Sequence, residues 1–298
     1  MDPLWDDLKI FLAVARAESL SGAGKALKVD PATVGRRVGR LEQSLAASLF
    51  VKSPTGYVLT SEGARLMGHA ERAERAMRAA VEELAGQAGG MSGQIRLGAP
   101  DGSANFLLPQ VCAAIVDENP DLEVQIVALP RVFNLSKREA DMAIALSPPT
   151  AGRLSVQKLT DYHLHLAGSE TYFAKHGEIE TLEDLRGRRM VGYISDMIFD
   201  KELDYLSDFG VDHVTLASNS VSVQINWVRL GCGVGVVHDF AIPAFTGLRK
   251  ILLDQISIKR SFYLIRHQDD RRVERLNRFA VALTAGIRRE VARLEGLT

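Results

Sequence analysis

The chain has 298 residues, 46% of them hydrophobic, which is enough to bury real cores and to make two or three domains. Its 36 lysines and arginines against 37 aspartates and glutamates leave a net charge of −1, so the protein as a whole is no polycation, and any attraction to phosphate must be local. Cys112 and Cys232 lie far apart in apolar stretches, with no CxxC and no His/Cys cluster, so they read as buried free thiols in a reducing compartment rather than as a disulfide or a metal site. No apolar run approaches the length needed to span a bilayer, and the start, MDPLWDDLKIF, is acidic where a secretory signal would be basic. A soluble, cytoplasmic protein with no membrane partner is expected.

In chain order, Asp2 caps a first helix with Pro3 in its first turn and Leu4, Leu8, Phe11 and Ala15 as its buried stripe. Ser19 or Ser21 caps a second, small-residue helix that ends near Leu27. Asp30 and Pro31 then open a third helix, predicted to run to about Ala47. Val34, Val38, Leu41 and Leu45 give it an apolar back, while Thr33, Arg36, Arg37 and Arg40 project from the other side. Between Pro31 and Tyr57, Arg36, Arg37, Arg40 and Lys52 face a single Glu42, which is the local positive excess that phosphate binding needs. LFVKSPTGYVLT reads as two short strands about a Pro-Thr-Gly turn, so residues 1–60 predict a winged helix-turn-helix.

Residues 61–91 predict a dimerisation helix and hinge. Thr60 or Ser61 caps it, and Leu66, Ala70, Ala73, Met77, Ala80 and Leu84 repeat with heptad spacing. From 61 to 88 such a helix extends roughly 42 Å, and GQAGGMSG then breaks it.

From residue 92 onward, strands alternate with helices. The predicted strands are 95–99, 122–128, 140–146, 163–168, 189–193, 234–238 and 261–266. One helix passes through Phe106, Val111 and Ile115, another spans Val223–Leu230, and a last one runs to about Leu294. Two such sets imply two lobes facing one cleft, lobe I being about 92–160 with 267–298 and lobe II about 161–266. The fold class is therefore multidomain, α+β and α/β.

At this point the chain resembles the LysR-type transcriptional regulators from end to end. The stretch carrying most of the resemblance is the leading Leu8/Phe11 helix, then ESLSGAGKAL, VGRRVGRLEQSLAASLF and the closing LTSEG. Ser21, Ala23, Ala26, Leu27, Val34, Arg36, Leu41, Glu42, Leu49, Phe50, Leu59, Thr60 and Gly63 stand where the family pattern expects such residues. PDLEVQIV, Ala140-Asp141-Met142-Ala143-Ile144 and GCGVGVVHD match more loosely the family's two-lobed, periplasmic-binding-protein-like effector domain. Gly35 stands where many members have serine, Asp30-Pro31-Ala32 where many have Ser-Gln-Pro, and Lys52 where arginine is common.

The resemblance implies a sequence-specific regulator that binds double-stranded DNA as a homodimer or tetramer and responds to a small-molecule effector. RNA polymerase counts among the implied partners, and no cofactor is expected. By physical role, Thr33, Arg36 and Arg37 read base edges, since arginine's planar fork matches guanine O6 and N7 and the threonine methyl can touch thymine. Arg40, Ser21 and Lys52 are the phosphate candidates. Gly35 has two readings, close backbone approach to the groove or helix packing.

For the effector, strand ends beside helix N-termini nominate Asp101, Ser103, Ser147, Ser195, Asp196 and His238, with Arg131 as a counter-charge. Ordinary helix capping is the alternative for each of these residues, and for His238 it is the preferred one. Asp101 and Asp196 would repel a bare carboxylate unless they cap helices, so an amine-bearing or uncharged polar effector stands beside an acid. An enzyme is disfavoured: Gly231, Gly233 and Gly235 lie in or before a strand rather than joining strand to helix, no catalytic triad or carboxylate pair has supporting spacing, and His163 and His165 share a strand face without a third ligand. A solute-binding transport protein would leave the first ninety residues unexplained. The remaining alternative is a DNA-binding regulator governed by partner proteins instead of a small molecule.

Overall fold

A computed structural model describes residues 5–53, 56–85, 91–128, 140–149, 152–206, 209, 211 and 213–296. Asp2, Pro3, Leu4, the Pro54-Thr55 turn, most of the hinge and Arg131 lie outside the described residues. The chain divides into two compact units, Met1–Gly89 and Gly90–Thr298.

In the first unit, α1 (Trp5–Ala17), α2 (Leu20–Leu27) and α3 (Pro31–Leu45) precede a hairpin of β1 (Phe50–Ser53) and β2 (Gly56–Leu59). The strands pair antiparallel with Phe50 opposite Leu59. The caps are local and were legible: Ser19 Oγ accepts from Gly22 N at 3.0 Å, and Asp30 Oδ1 accepts from Ala32 N at 2.8 Å. Ser19, not Ser21, is the N-cap of α2.

Helix α1 buries more than the single predicted stripe. Ile10 and Val14 pack with Ala23, Val34 and Val38, while Phe11 and Leu12 pack with Leu41, Leu49 and Ala70. It therefore serves two apolar clusters on two sides, which a one-face periodicity does not foresee. Leu45, assigned to the buried stripe of α3, is instead 37% exposed, because α3 ends there and the chain turns away through Ala46 in a left-handed conformation (φ 49°).

The long helix α4 (Ser61–Ala85) is capped by Thr60, whose Oγ1 accepts from Gly63 N at 2.9 Å. Its first turns belong to the core of the same unit: Ala70 is fully buried, Leu66 and Met67 pack beside it, and Arg16 of α1 reaches Glu74 at 2.8 Å. The first two positions of the predicted heptad seam are thus filled within the chain, and Met77 is 54% exposed.

The second unit is built on one nine-stranded sheet. Its strands are β3 (Gly93–Ala99), β4 (Leu122–Ala128), β5 (Met142–Ala145), β6 (Leu154–Ser169), β7 (Met190–Gly192), β8 (Leu216–Ala217), β9 (Val234–His238), β10 (Leu248–Lys250) and β11 (Ile258–His267). They lie in the order 4-3-5-11-6-9-7-8, with β10 also on β6. The helices are α5 (Asp101–Phe106), α6 (Leu108–Asp117), α7 (Glu170–His176), α8 (Val221–Arg229) and α9 (Glu274–Leu294).

Two parallel sets, β4-β3-β5 and β8-β7-β9, are joined through the long antiparallel pair β6 and β11. The expected lobes are thus halves of a continuous sheet. The β6–β11 register shifts between Phe262 and Tyr263, where Leu159 is the extra residue. An extra residue bends a strand and increases its twist, and this bulge lies between the stretch of β11 paired with β5 and the stretch of β6 paired with β9. The single helix predicted through Phe106 and Ile115 is two helices, interrupted at Leu107 (φ −123°) because Pro109 suits only the first turn of α6.

Candidate nucleic-acid interface and inter-lobe cleft

On α3, the capped N-terminus and the buried Val34, Val38 and Leu41 leave one side outward. Arg36 is exposed there, with Thr33 and Arg37 half-buried at its edges. Ser21 is exposed on the first turn of α2, and Lys52 is exposed on β1. Among the described residues, nothing forms a hydrogen bond or ion pair with the side chains of Arg36, Arg37 or Lys52.

Arg40 departs from its expected phosphate role. Its Nε donates to Asp7 Oδ2 at 2.6 Å and its Nη2 to Asp7 Oδ1, a two-point clamp onto a carboxylate only 2% exposed. Planar guanidinium and carboxylate fit in this bidentate way, so Arg40 secures α3 against α1. Arg40→Ala would leave Asp7 buried without its partner, which is strongly unfavourable. The expected result is a lower melting temperature with an unchanged salt slope of DNA binding measured well below it; a slope reduced by about one would restore Arg40 to the phosphate contacts.

Glu42, the lone acid of this stretch, accepts from Leu49 N at 2.6 Å and Phe50 N at 3.3 Å, tying α3 to the hairpin. A Cβ on Gly35 would lie 3.2 Å from Leu20 Cδ1, so the packing reading of this glycine has a contact between α2 and α3 behind it.

In the second unit, Asp101, Ser103 and His238 line a common cavity between the lobes, together with Gly102, Leu146, Tyr193, Phe199, Tyr205 and Phe262. The cavity measures about 20 Å³, room for a single water molecule. Asp101 does not cap its own helix. Its Oδ2 reaches α8, accepting from Ser222 N at 2.9 Å, Ser222 Oγ at 3.1 Å and Ser220 Oγ at 3.2 Å. A carboxylate placed on free amides at a helix N-terminus is favoured by both the hydrogen bonds and the dipole.

Ser103 lies inside α5 and gives its hydroxyl to Pro100 O at 3.0 Å, so Pro100, rather than a serine, precedes the helix. Ser147 does not line this cavity; its Oγ donates to Asp200 Oδ2 at 2.6 Å, a second link between distant segments. Ser195 and Asp196 sit exposed on a short 3₁₀ turn outside the small cavity. Ser195 instead lines a separate pocket of about 560 Å³ that shares Tyr193, Leu203 and Tyr205 with it.

His238 is only 4% exposed, stacks on Tyr162 with ring centroids 5.6 Å apart, and its Nδ1 has no hydrogen-bond partner among the described residues. Burial lowers its pKa to about 4, outweighing the opposing pull of Asp239 and Asp101. The same burial raises the pKa of Tyr162, Tyr193 and Tyr205, so this pocket disfavours ionised groups.

Sequence reading missed Asp200, Ser220, Ser222 and Tyr205. Ser218-Asn219-Ser220 directly before an apolar run is an N-cap signal that could have placed α8 two residues earlier. Asp200 caps a single 3₁₀ turn, its Oδ1 accepting from Glu202 N at 3.0 Å, and Tyr205 follows in irregular chain without a local signal.

The other residues singled out have structural partners. Gly233 and Gly235 let β9 lie against β7, since a Cβ on them would come within 2.5 Å of Arg189 O and 2.7 Å of Val191 O. His163 Nδ1 meets Glu295 at 2.8 Å and His165 Nδ1 meets Asp239 at 2.8 Å. Both thiols are free, but only Cys112 is buried, and burial lifts its pKa to about 11; Cys232 is half-exposed.

Residues 5–64 match the family described as "Bacterial regulatory helix-turn-helix protein, lysR family", and residues 88–288 match "LysR substrate binding domain". The HTH-type transcriptional regulator CrgA of Neisseria meningitidis serogroup C is 25% identical over 248 residues, 80% of each chain. Among solved structures, a full-length OxyR variant of Pseudomonas aeruginosa has a TM-score of 0.71 at 18% identity, covering 97% of this chain and 95% of its own. ArgP of Mycobacterium tuberculosis has a TM-score of 0.69 at 17% identity, covering 94% and 96%. The two family matches, laid over a capped helix with unpaired arginines and a two-lobed α/β unit, make the chain a LysR-type transcriptional regulator with a substrate-binding domain.

Proposed function

We propose that the protein reads double-stranded DNA with α3, using Arg36 and Arg37 on base edges and the Thr33 methyl on thymine, with Ser21 and Lys52 on phosphates. The observation that carries this is the contrast along one helix: Arg40 is clamped by Asp7, while Arg36 and Arg37 have no internal partner among the described residues. An unpaired guanidinium keeps both donors of its fork for guanine.

Two copies pair through α4, where the apolar spacing continues past the intramolecular contacts and Met77 stands exposed. The C-terminal unit takes a small molecule between its lobes, and the ligand acts by favouring one lobe arrangement over another. Such a shift alters the spacing of paired DNA-binding heads and the bend of the bound duplex.

Titrating a fluorescent duplex from the region upstream of the protein's own gene tests this reading. Lys52→Ala should weaken specific and random DNA alike and lower the slope of log K against log salt by about one. A monomer in sedimentation, or no preference for the upstream duplex over random DNA at any ionic strength, would refute it.

A further inference from the structure

The effector reading leaves open what kind of molecule the cleft accepts, and the inference here rests on that reading. We infer that the inter-lobe site takes an uncharged planar aromatic ligand with a polar edge, of phenol or amide type, and refuses carboxylates because Asp101 already fills the anion position at the N-terminus of α8.

Three observations meet at this site. The first is the occupied helix end: Asp101 Oδ2 holds Ser222 N, Ser222 Oγ and Ser220 Oγ, and Asn105 Nδ2 approaches Oδ1 at 3.2 Å. The donors that would receive an acid are already used, and a second anion beside Asp101 would meet like charge. The second is the wall: among its described residues the cavity has no lysine or arginine, and the nearby Arg260 is paired with Glu202 at 2.8 Å. The third is His238 Nδ1, an atom with no hydrogen-bond partner among the described residues in a side chain only 4% exposed, with the Tyr205 hydroxyl, in a residue 6% exposed, interacting with Tyr193 in the same wall. An unpaired buried donor or acceptor is costly, and a ligand with a polar edge satisfies His238 Nδ1. Phe199, Phe262 and Tyr193 supply ring surface around them.

Room for a ring lies next door. Tyr193, Leu203 and Tyr205 line both the small cavity and the pocket of about 560 Å³, so a ring in the larger pocket lies against the walls of the smaller one. The depressed pKa of His238 agrees with a neutral guest, since the site already penalises charge.

The test is a thermal-shift titration of the full-length protein with three probes sharing one ring: phenol, benzamide and benzoate. Phenol and benzamide should raise the melting temperature of the wild type saturably, and benzoate should not. His238→Phe, which keeps the ring and removes Nδ1, should weaken phenol and benzamide about tenfold. Asp101→Ala or Asp101→Ser should gain benzoate binding of at least about tenfold by freeing the α8 donors, whereas Asp101→Asn, which keeps the position filled, should not.

Benzoate stabilising the wild type as well as benzamide does, or no benzoate gain in either small variant, overturns the proposal. If benzoate binds the wild type and His238→Phe weakens it, the cleft is still the effector site and only the ligand class falls. Failure of phenol and benzamide, with some other metabolite changing DNA affinity, has the same meaning. If no small molecule alters melting or DNA binding, the effector reading itself falls with it.

Discussion

Arg36→Ala is expected to lose about 1–3 kcal/mol on the specific site, roughly a 5- to 150-fold drop in affinity, and to relax preference at one base position. Binding to random duplex should change far less. Arg36 is exposed on the outward side of α3, and nothing among the described residues competes for its donors. Arg37, half-buried at the edge of the same face, should behave similarly at a neighbouring position. The measurement is a competition assay in which each base pair of the footprint is varied in turn. Equal losses on specific and random DNA would move Arg36 from the base-reading set to the phosphate contacts. The fold itself should be unaffected, since Arg36 makes no contact that the helix needs, and this distinguishes it from Arg40 one turn later.

Acid should destabilise the second unit through His238. The imidazole has its pKa lowered from the ordinary 6.5 to about 4 by burial. Above pH 6.5 it is neutral whether the chain is folded or not, and it carries no penalty. Below that, the unfolded chain takes up a proton that the folded chain resists until about pH 4, so stability falls with pH across this window. The difference corresponds to about 3 kcal/mol when fully developed. Urea unfolding of the wild type and His238→Phe between pH 7 and pH 4 measures it. The variant should show a flatter acid limb, and an identical limb in both proteins would locate the acid sensitivity elsewhere.

Most of the DNA-reading half was legible because its signals are local. Asp30 and Pro31 announce α3, the four-and-three spacing of Val34, Val38 and Leu41 orients it, and the wing strands fall at 50–53 and 56–59. The strands at 122–128 and 234–238 have the predicted bounds, the first because Leu122, Val124 and Ile126 alternate with polar residues and the second because Val-Gly-Val-Val is a short apolar run. Where periodicity ran on without a stop signal, the reading overshot, as at Leu45, or merged two elements, as at Pro109. The 16-residue β6 was seen only in its apolar second half, because its first half alternates too weakly to stand out from loop.

What the sequence by itself determined was the helices and wing of the first unit, most of the strands of the second, which side of α3 carries its arginines, and which family the pattern resembles. What only the tertiary structure decided was who meets whom. Arg40 finds Asp7 33 residues away, Asp101 finds Ser222 across 121 residues, and Ser147 finds Asp200 across 53. His238 became a buried imidazole with a lowered pKa only when Tyr162 and Gly102 closed on it. Capping and amphipathic spacing act within a few residues, so the chain displays them directly. Partners of polar groups, and the burial that shifts a pKa, depend on distant segments brought together by packing, and no local pattern encodes them.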